Sequence, residues 1–416
     1  MQKKIKFPLI IITCISFYWF FISGNNDPLP QITYTIEHYH EDGCEIYREL
    51  GDFAKKRSDY EQALKFYTKS LFYKPENLTT HDHLGIMYEH KKDPKEALKT
   101  YFKAMSINPN FLEERFKKDT PLPHKLTADL DFVRKKIAWQ GQPLKNKTIL
   151  VYAEKGFGDT LQFCRFIPLL AQQGATVLFK PQAHLSSLFA QSSLPATIIS
   201  DTVNPEDHVF DYHVSLFSLP HVLGVGFDHL STQNYSIKAN PEQVVAFKKL
   251  FNPHIINIGI AWQGDPTNIN DKNRSLPLFY FYNLSRLPGV QLYSLQKFAG
   301  REQLEDVPAD VSIIDLDKLI QNFDDTAAII ENLDLVISID SAVTHLAGAL
   351  GKNVWMLIPA ITDWRWLGFY EKDQSFWYKN LKKFKQDKSG QWQPLFNKIT
   401  ALLRREVESN TTLKNH

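Results

Sequence analysis

The sequence predicts an α/β protein with two doubly wound parallel-sheet domains, preceded by an all-α segment and an apolar N-terminal stretch. Three observations carry this. From Lys147 onward, two consecutive sets of short β-branched, apolar runs alternate with amphipathic stretches. Ahead of them the chain repeats itself with a period of 34 residues. Finally, 416 residues with 43% hydrophobic and 23% charged side chains are ordinary globular composition and leave room for two to four domains. The 48 Lys and Arg against 46 Asp and Glu give a net charge of +2, so no basic face for nucleic acid is advertised. Cys14, Cys44 and Cys164 are too few for a disulfide scaffold or a Cys-rich zinc site.

Taken in order, Lys3, Lys4 and Lys6 precede an uncharged, mostly apolar run from Phe7 to Ile22. As a helix that run spans about 24 Å, a little under the ~30 Å hydrocarbon core. Phe21-Ile22-Ser23-Gly24 lacks the small residues of a cleavage site, which favours a retained signal anchor over a cleaved signal peptide. Residues 1–28 are therefore expected to be a membrane anchor with flank, a single N-terminal helix.

Residues 44–111 hold the repeat. Leu50-Gly51 recurs as Leu84-Gly85, Ala63 as Ala97, Tyr67 as Tyr101 and Pro75 as Pro109. Each unit reads as two helices around a polar turn, Arg57-Ser58-Asp59 and then Lys91-Lys92-Asp93. The glycines and alanines suit close helix approach, and the prolines end each second helix. This resembles the tetratricopeptide (TPR) repeat. Two repeats need a cap or a neighbouring domain. In residues 112–146, Thr127 to Trp139 would supply a capping helix, with Leu130, Val133 and Ile137 on one face. The segment is either a groove for a peptide or protein partner or a spacer that docks the following domain.

In the first α/β set, Thr148 to Ala153, Ala175 to Phe179, Ala196 to Ile199 and Tyr212 to Leu216 are expected strands. Gly156-Phe157-Gly158-Asp159 is expected as a turn before a helix from Leu161 to Ala171. In the second set, Ile255 to Trp262, Val290 to Leu295, Ser312 to Leu316, Leu335 to Ile339 and Val354 to Ile358 read as strands. Asp325 to Asn332 and Ala342 to Leu350 read as helices.

The segment Asn332 to Leu350 is the most informative. An apolar strand ends at Asp340, Ser341 stands where it can cap, and Ala342, Ala347, Gly348 and Ala349 leave the next helix lightly covered. Such a terminus favours an anion, and a diphosphate would suit; a capped helix packed on the sheet is the other reading. His345 lies in its first turn.

The run Asp340-Ser341-Ala342-Val343-Thr344-His345-Leu346-Ala347-Gly348-Ala349 resembles the donor-site motif of family 9 glycosyltransferases, the heptosyltransferase-like group. Supporting segments occur in the expected order. They are Trp139 to Leu144, Gly156 to Phe163, Gly259 to Gly264, Arg274-Ser275, Ser294 to Lys297, Asp325 to Ala327 and Asp363-Trp364-Arg365-Trp366. From Tyr47 to the C-terminus the chain is similar to bacterial TPR-containing members of that group.

The resemblance implies a GT-B-like fold, with two Rossmann-like domains: 147–240 on the acceptor side and 241–416, with a C-terminal helix, on the donor side. It implies an inverting, metal-independent transfer of a sugar from a nucleotide-diphospho-sugar to a glycan, lipid-linked or protein acceptor. No cofactor is implied. Asp159 matches the family's proposed general base, and Arg274 and Lys297 are the cations placed near the leaving diphosphate, where either could instead be a solvated surface charge; Asp159 and Arg274 are the expected catalytic residues. Lys297, Asp340, Ser341, Ala342, His345, Gly156 and Gly158 are the expected donor-binding set. From the residues alone, the lesser alternative is that Asp159 merely caps its helix. The Asp363 to Trp366 run could wall a base or sugar, or simply pack.

The chain departs from the pattern with Ala342 where glycine is usual and Asn353 where proline is usual. A membrane-tethered TPR scaffold with an inactive transferase-like domain is therefore the rival expectation. Asp129-Leu130-Asp131 and Asp315-Leu316-Asp317 resemble a metal-binding D-x-D, at a length that occurs often by chance.

Overall fold

The computed structural model describes residues 43–108, 136–154, 156–200, 208–225, 230, 237–268, 271–366 and 373–414. It divides between Asp93 and Pro94 into two compact units.

The first unit carries helices α1 (Gly43–Lys56), α2 (Tyr60–Tyr73) and α3 (Leu78–His90). The polar turns behave alike, for Ser58 (φ 62°) and Lys92 (φ 57°), 34 residues apart, are both left-handed. Asp59 accepts from the Gln62 amide at the start of α2, and Asn77 from the Thr80 amide at the start of α3, satisfying donors that a helix start leaves open. A Cβ on Gly51 would stand 2.5 Å from Cδ1 of Tyr67, so α1 and α2 close up here only because residue 51 is glycine. Tyr47, Ala63, Phe66, Tyr67, Leu84 and Met87 form the core.

The second unit begins with α4 (Pro94–Ile107). Its Phe102 lies edge-on to Phe163, Phe166, Trp364 and Trp377, and its Tyr101 tilts against Trp364. Strands β1 (Thr148–Tyr152), β2 (Thr176–Lys180), β3 (Thr197–Ile198) and β4 (Tyr212–Ser215) form an all-parallel sheet in the order β3-β2-β1-β4. Helices α5 (Phe157–Phe163), α6 (Ile167–Gln172) and α7 (Ala183–Gln191) lie in its crossovers.

After α8 (Pro241–Lys248), a second parallel sheet comprises β5 (Ile256–Ala261), β6 (Val290–Ser294), β7 (Ile313–Asp315), β8 (Leu335–Ile339), β9 (Val354–Ile358) and β10 (Leu381–Lys385). Its order is β10-β9-β8-β5-β6-β7. Helices α9 (Phe323–Glu331), α10 (Ala342–Ala349) and α11 (Gln393–Lys414) complete this half. Phe396 of α11 meets Phe281 and Tyr280 over a core that includes Ile258, Ile337 and Leu357. In both sheets the chain direction of winding reverses, between β1 and β4 and between β5 and β8. Parallel sheets of this kind bind ligands beyond the carboxyl ends at that reversal.

Three expectations need correcting or placing. The single membrane-anchoring helix is not supported, because among the described residues no helix is long and apolar enough to cross a membrane. Residues 1–28, on which it falls, lie outside the described residues. Most of the capping helix expected at Thr127 to Trp139 also lies outside them. Its last residues are not helical: Ala138 bridges to His213 in parallel, and the Trp139 amide donates to the His213 carbonyl at 2.8 Å. The α5 helix starts at Phe157, so Asp159 sits in its first turn rather than in a turn before it.

Candidate functional site

The loop after β1 turns straight into α5, and Gly156 precedes that helix in an extended conformation. Asp159, three residues on, accepts from the Gly156 amide through Oδ2 at 3.1 Å. It therefore caps the helix. Its other oxygen, Oδ1, meets Nη2 of Arg365. Gly158 faces the opposite wall: a Cβ there would lie 2.9 Å from Cδ2 of His345 and 3.5 Å from Cα of Ala342. The first turns of α5 and α10 thus touch, and the carboxyl ends of β1 and β8 are brought to one place. Of the two glycines, Gly158 is required by close approach, while Gly156 has only Asp159 Oδ2 nearby, at 3.3 Å.

At the start of α10 the Ser341 side chain does not cap. Its hydroxyl lies 3.0 Å from that of Ser338, and the cap position is left to the backbone. Thr344 is turned inward, donating to the Ile339 carbonyl at 2.6 Å. His345 is buried, with Nε2 3.5 Å from Asp340 Oδ1 and Nδ1 2.9 Å from the Tyr378 hydroxyl. Its ring stacks on Trp366, centroids 5.6 Å apart. Burial alone would raise the Asp340 carboxyl, but His345, then Arg274 and Arg365, outweigh it and hold the group down to about 2.

Arg274 approaches from the loop after β5. Its Nη1 donates to the Asp340 carbonyl at 2.9 Å, and its Nε lies 3.3 Å from Asp271. Gly264 makes room for it, since a Cβ there would collide with both Asp271 and Arg274. Arg274, Asp340, Ser341, Ala342, His345, Gly158 and Asp159 are therefore gathered at one cleft between the two sheets. Lys297 is not gathered there. Its ammonium is held by the Asp317 carboxylate at 2.6 Å and by the carbonyls of Asp317 and Ile320 at 3.0 and 2.9 Å, which pins the turn beyond β7.

Reading the sequence gave no site role to four contributors, three of them inside quoted motifs. Gln296 accepts from the amides of Trp262 and Gln263 and donates to the carbonyls of Gln263 and Ala299, lashing the ends of β5 and β6 together. Tyr378 is the partner of His345, and Gly348 leaves room for its ring. Asp363 and Arg365 form an ion pair at 3.0 Å. An arginine flanked by Trp364 and Trp366 was the available signal. Both indoles are buried in protein contacts, so that run packs rather than walls an open subsite. Asp315 and Asp317 of the D-x-D are engaged by Arg301 and Lys297. Asp129 and Asp131 lie outside the described residues. Among the described residues no cluster of three or more His, Cys, Asp or Glu is arranged to hold a metal ion.

No known protein-family profile matches the chain. Among curated proteins it is similar to Protein FlbA of Caulobacter vibrioides, 23% identical over 293 residues, 64% of this chain and 48% of that protein. The chain thus spans about half the length of the curated relative it matches. Among solved structures it is similar to the glycosyl transferase family 9 protein of Veillonella parvula, with 12% identity and TM-score 0.45 over 62% of this chain and 92% of that one. Escherichia coli ADP-heptose heptosyltransferase II gives 12% and 0.45 over 62% and 99%. The iron-containing dodecameric glycosyltransferase TibC gives 11% and 0.42 over 66% and 78%.

Proposed function

We propose that the unit from Pro94 onward is an inverting glycosyltransferase of GT-B type, taking a sugar from a nucleotide-diphospho-sugar to an acceptor hydroxyl. The observation that carries the reading is the meeting of Asp159, from the first sheet's switch point, with the start of α10 at the second's, through Gly158 against His345 and Ala342. One face then offers a base and the other an anion site. The open amides at the start of α10, with Arg274 beside them, would hold the diphosphate and offset charge as it leaves. Asp159 would take the proton from the acceptor oxygen as that oxygen attacks the anomeric carbon. Asp340 orients His345 rather than touching phosphate, where its charge would repel. Lys297 supports the cleft from its pinned turn. Chemistry without a bound metal, a glycan, lipid-linked or protein acceptor, and, separately, a peptide or protein partner for the helical repeats complete the proposal.

One observation favours the rival reading of an inactive, TPR-type interaction protein. Both Asp159 oxygens already have partners, Gly156 and Arg365. Calorimetric titration with ADP-, UDP- and GDP-sugars separates the two readings: the enzyme reading requires that at least one binds, and it falls if none does. Asp159→Asn should then abolish transfer while leaving donor affinity nearly unchanged.

A further inference from the structure

The reaction above gives Arg365 no role, yet its guanidinium is the group on which both halves of the cleft converge. Asp363 fixes it from its own half, accepting from the Arg365 amide at 2.9 Å and from Nη1 at 3.0 Å. Trp364, also of that half, lies beneath it, with the guanidinium carbon 4.9 Å from the ring centroid. From the other half come the Asp159 carboxylate on Nη2 and the Phe217 ring at 5.7 Å. Arg365, Asp159 and Asp363 are only 14%, 17% and 16% exposed. Burial alone would lower the guanidinium's pKa, but Asp363, Asp159 and Asp340 outweigh it and raise it, so the group stays charged.

We propose that Arg365 is a positioning residue for Asp159: anchored in the second half, it fixes the carboxylate of the first half in the orientation needed to accept a proton. A carboxylate turns about its Cβ–Cγ bond unless each oxygen is held. Here Gly156 holds Oδ2 and Arg365 holds Oδ1, from two different elements. Each oxygen still has a lone pair for an acceptor hydroxyl. A planar fork reaches Asp363 and Asp159 at once while its carbon lies over the Trp364 ring, which a lysine ammonium cannot do. Because the grip crosses the cleft, the orientation exists only while the two halves are together. The kinetic consequence rests on the glycosyltransferase reading; the pairing itself does not.

The test uses the full chain with Asp159→Asn, Arg365→Met, Arg365→Lys and the Asp159→Asn, Arg365→Met double variant. In thermal unfolding, the double variant should lose no more than the worse single variant. Additive losses would overturn the pairing whatever the protein's activity. In sugar transfer, Arg365→Met should lower kcat about 100-fold, the scale of a small misplacement of reacting groups. The Kd for the nucleoside diphosphate should stay within about threefold, and Arg365→Lys should recover part of kcat. An equal loss in kcat and affinity, or an Arg365→Lys variant with wild-type kcat, overturns the positioning role. If Arg365→Met does not fold, the lysine variant alone decides. If the wild-type chain binds no nucleoside diphosphate and transfers no sugar, the glycosyltransferase reading falls and takes the role with it, while the unfolding cycle still reports on the pair.

Discussion

Gly158 of α5 stands against His345 of α10 so closely that a single methyl group on the glycine would come within 2.9 Å of the imidazole. The close approach of α5 and α10 thus depends on one missing side chain. Gly158→Ala should push α5 from α10 and cost about 1–3 kcal/mol of stability, the usual penalty of overpacking. It should also weaken nucleoside diphosphate binding, read by titration. An alanine variant with unchanged melting and binding would show that the two helices part freely.

Asp340 gives a sign-specific pH prediction. Its folded value of about 2 lies below the ordinary 3.8, so its contribution to stability is present above about 3.8 and is lost as pH falls through 2. Melting curves between pH 2 and 6 should therefore show a steeper acid loss in the wild type than in Asp340→Asn. The variant should be the less stable of the two near neutrality, because His345 loses its carboxylate partner and Arg274 a nearby negative charge.

Asp52 makes the same argument in the helical unit. Arg48 binds one oxygen at 2.6 Å, while the Tyr67 hydroxyl donates to the other at 2.8 Å and His83 Nδ1 lies 2.8 Å from it, so one carboxylate ties α1, α2 and α3. Burial alone would raise it, but His83, Tyr67 and Arg48 draw it down to about 2. Asp52→Asn should cost about 1–3 kcal/mol, detected as earlier loss of helical circular dichroism on urea titration.

Lys297 and Arg274 can be told apart. The lysine ammonium is spent on Asp317 and Ile320, so Lys297→Met should lower the melting temperature through the loosened turn. It should change nucleoside diphosphate affinity less than Arg274→Met does. Equal loss of affinity in both would place the lysine at the diphosphate after all.

What the sequence disclosed follows from how parallel strands are buried. Strands covered on both faces read as unbroken apolar runs, and β8 and β9 stand where Leu335 to Ile339 and Val354 to Ile358 indicated. β10 escaped because its letters, Leu-Lys-Lys-Phe-Lys, suggest solvent. Yet Lys383 is buried, with its ammonium on the Trp366 carbonyl at 3.3 Å, and charges are common on a sheet edge. At the cleft, the Asp159, Arg274 and α10 residues were legible as a spaced motif. Arg365 stood in a quoted motif too, but its pairing was not legible, because that depends on a partner 206 residues away.

The bed of aromatic rings under Phe102 bears on how the chain can be divided. A fragment begun at the first strand, Thr148, would bare Phe163, Phe166, Trp364 and Trp377 to water, a greasy scar across the seam of the two sheets. A fragment begun at Pro94 carries its own cover. A fragment that keeps this cover therefore starts no later than Pro94, inside the second repeat, and trimming the chain at the end of that repeat would strip the lid away.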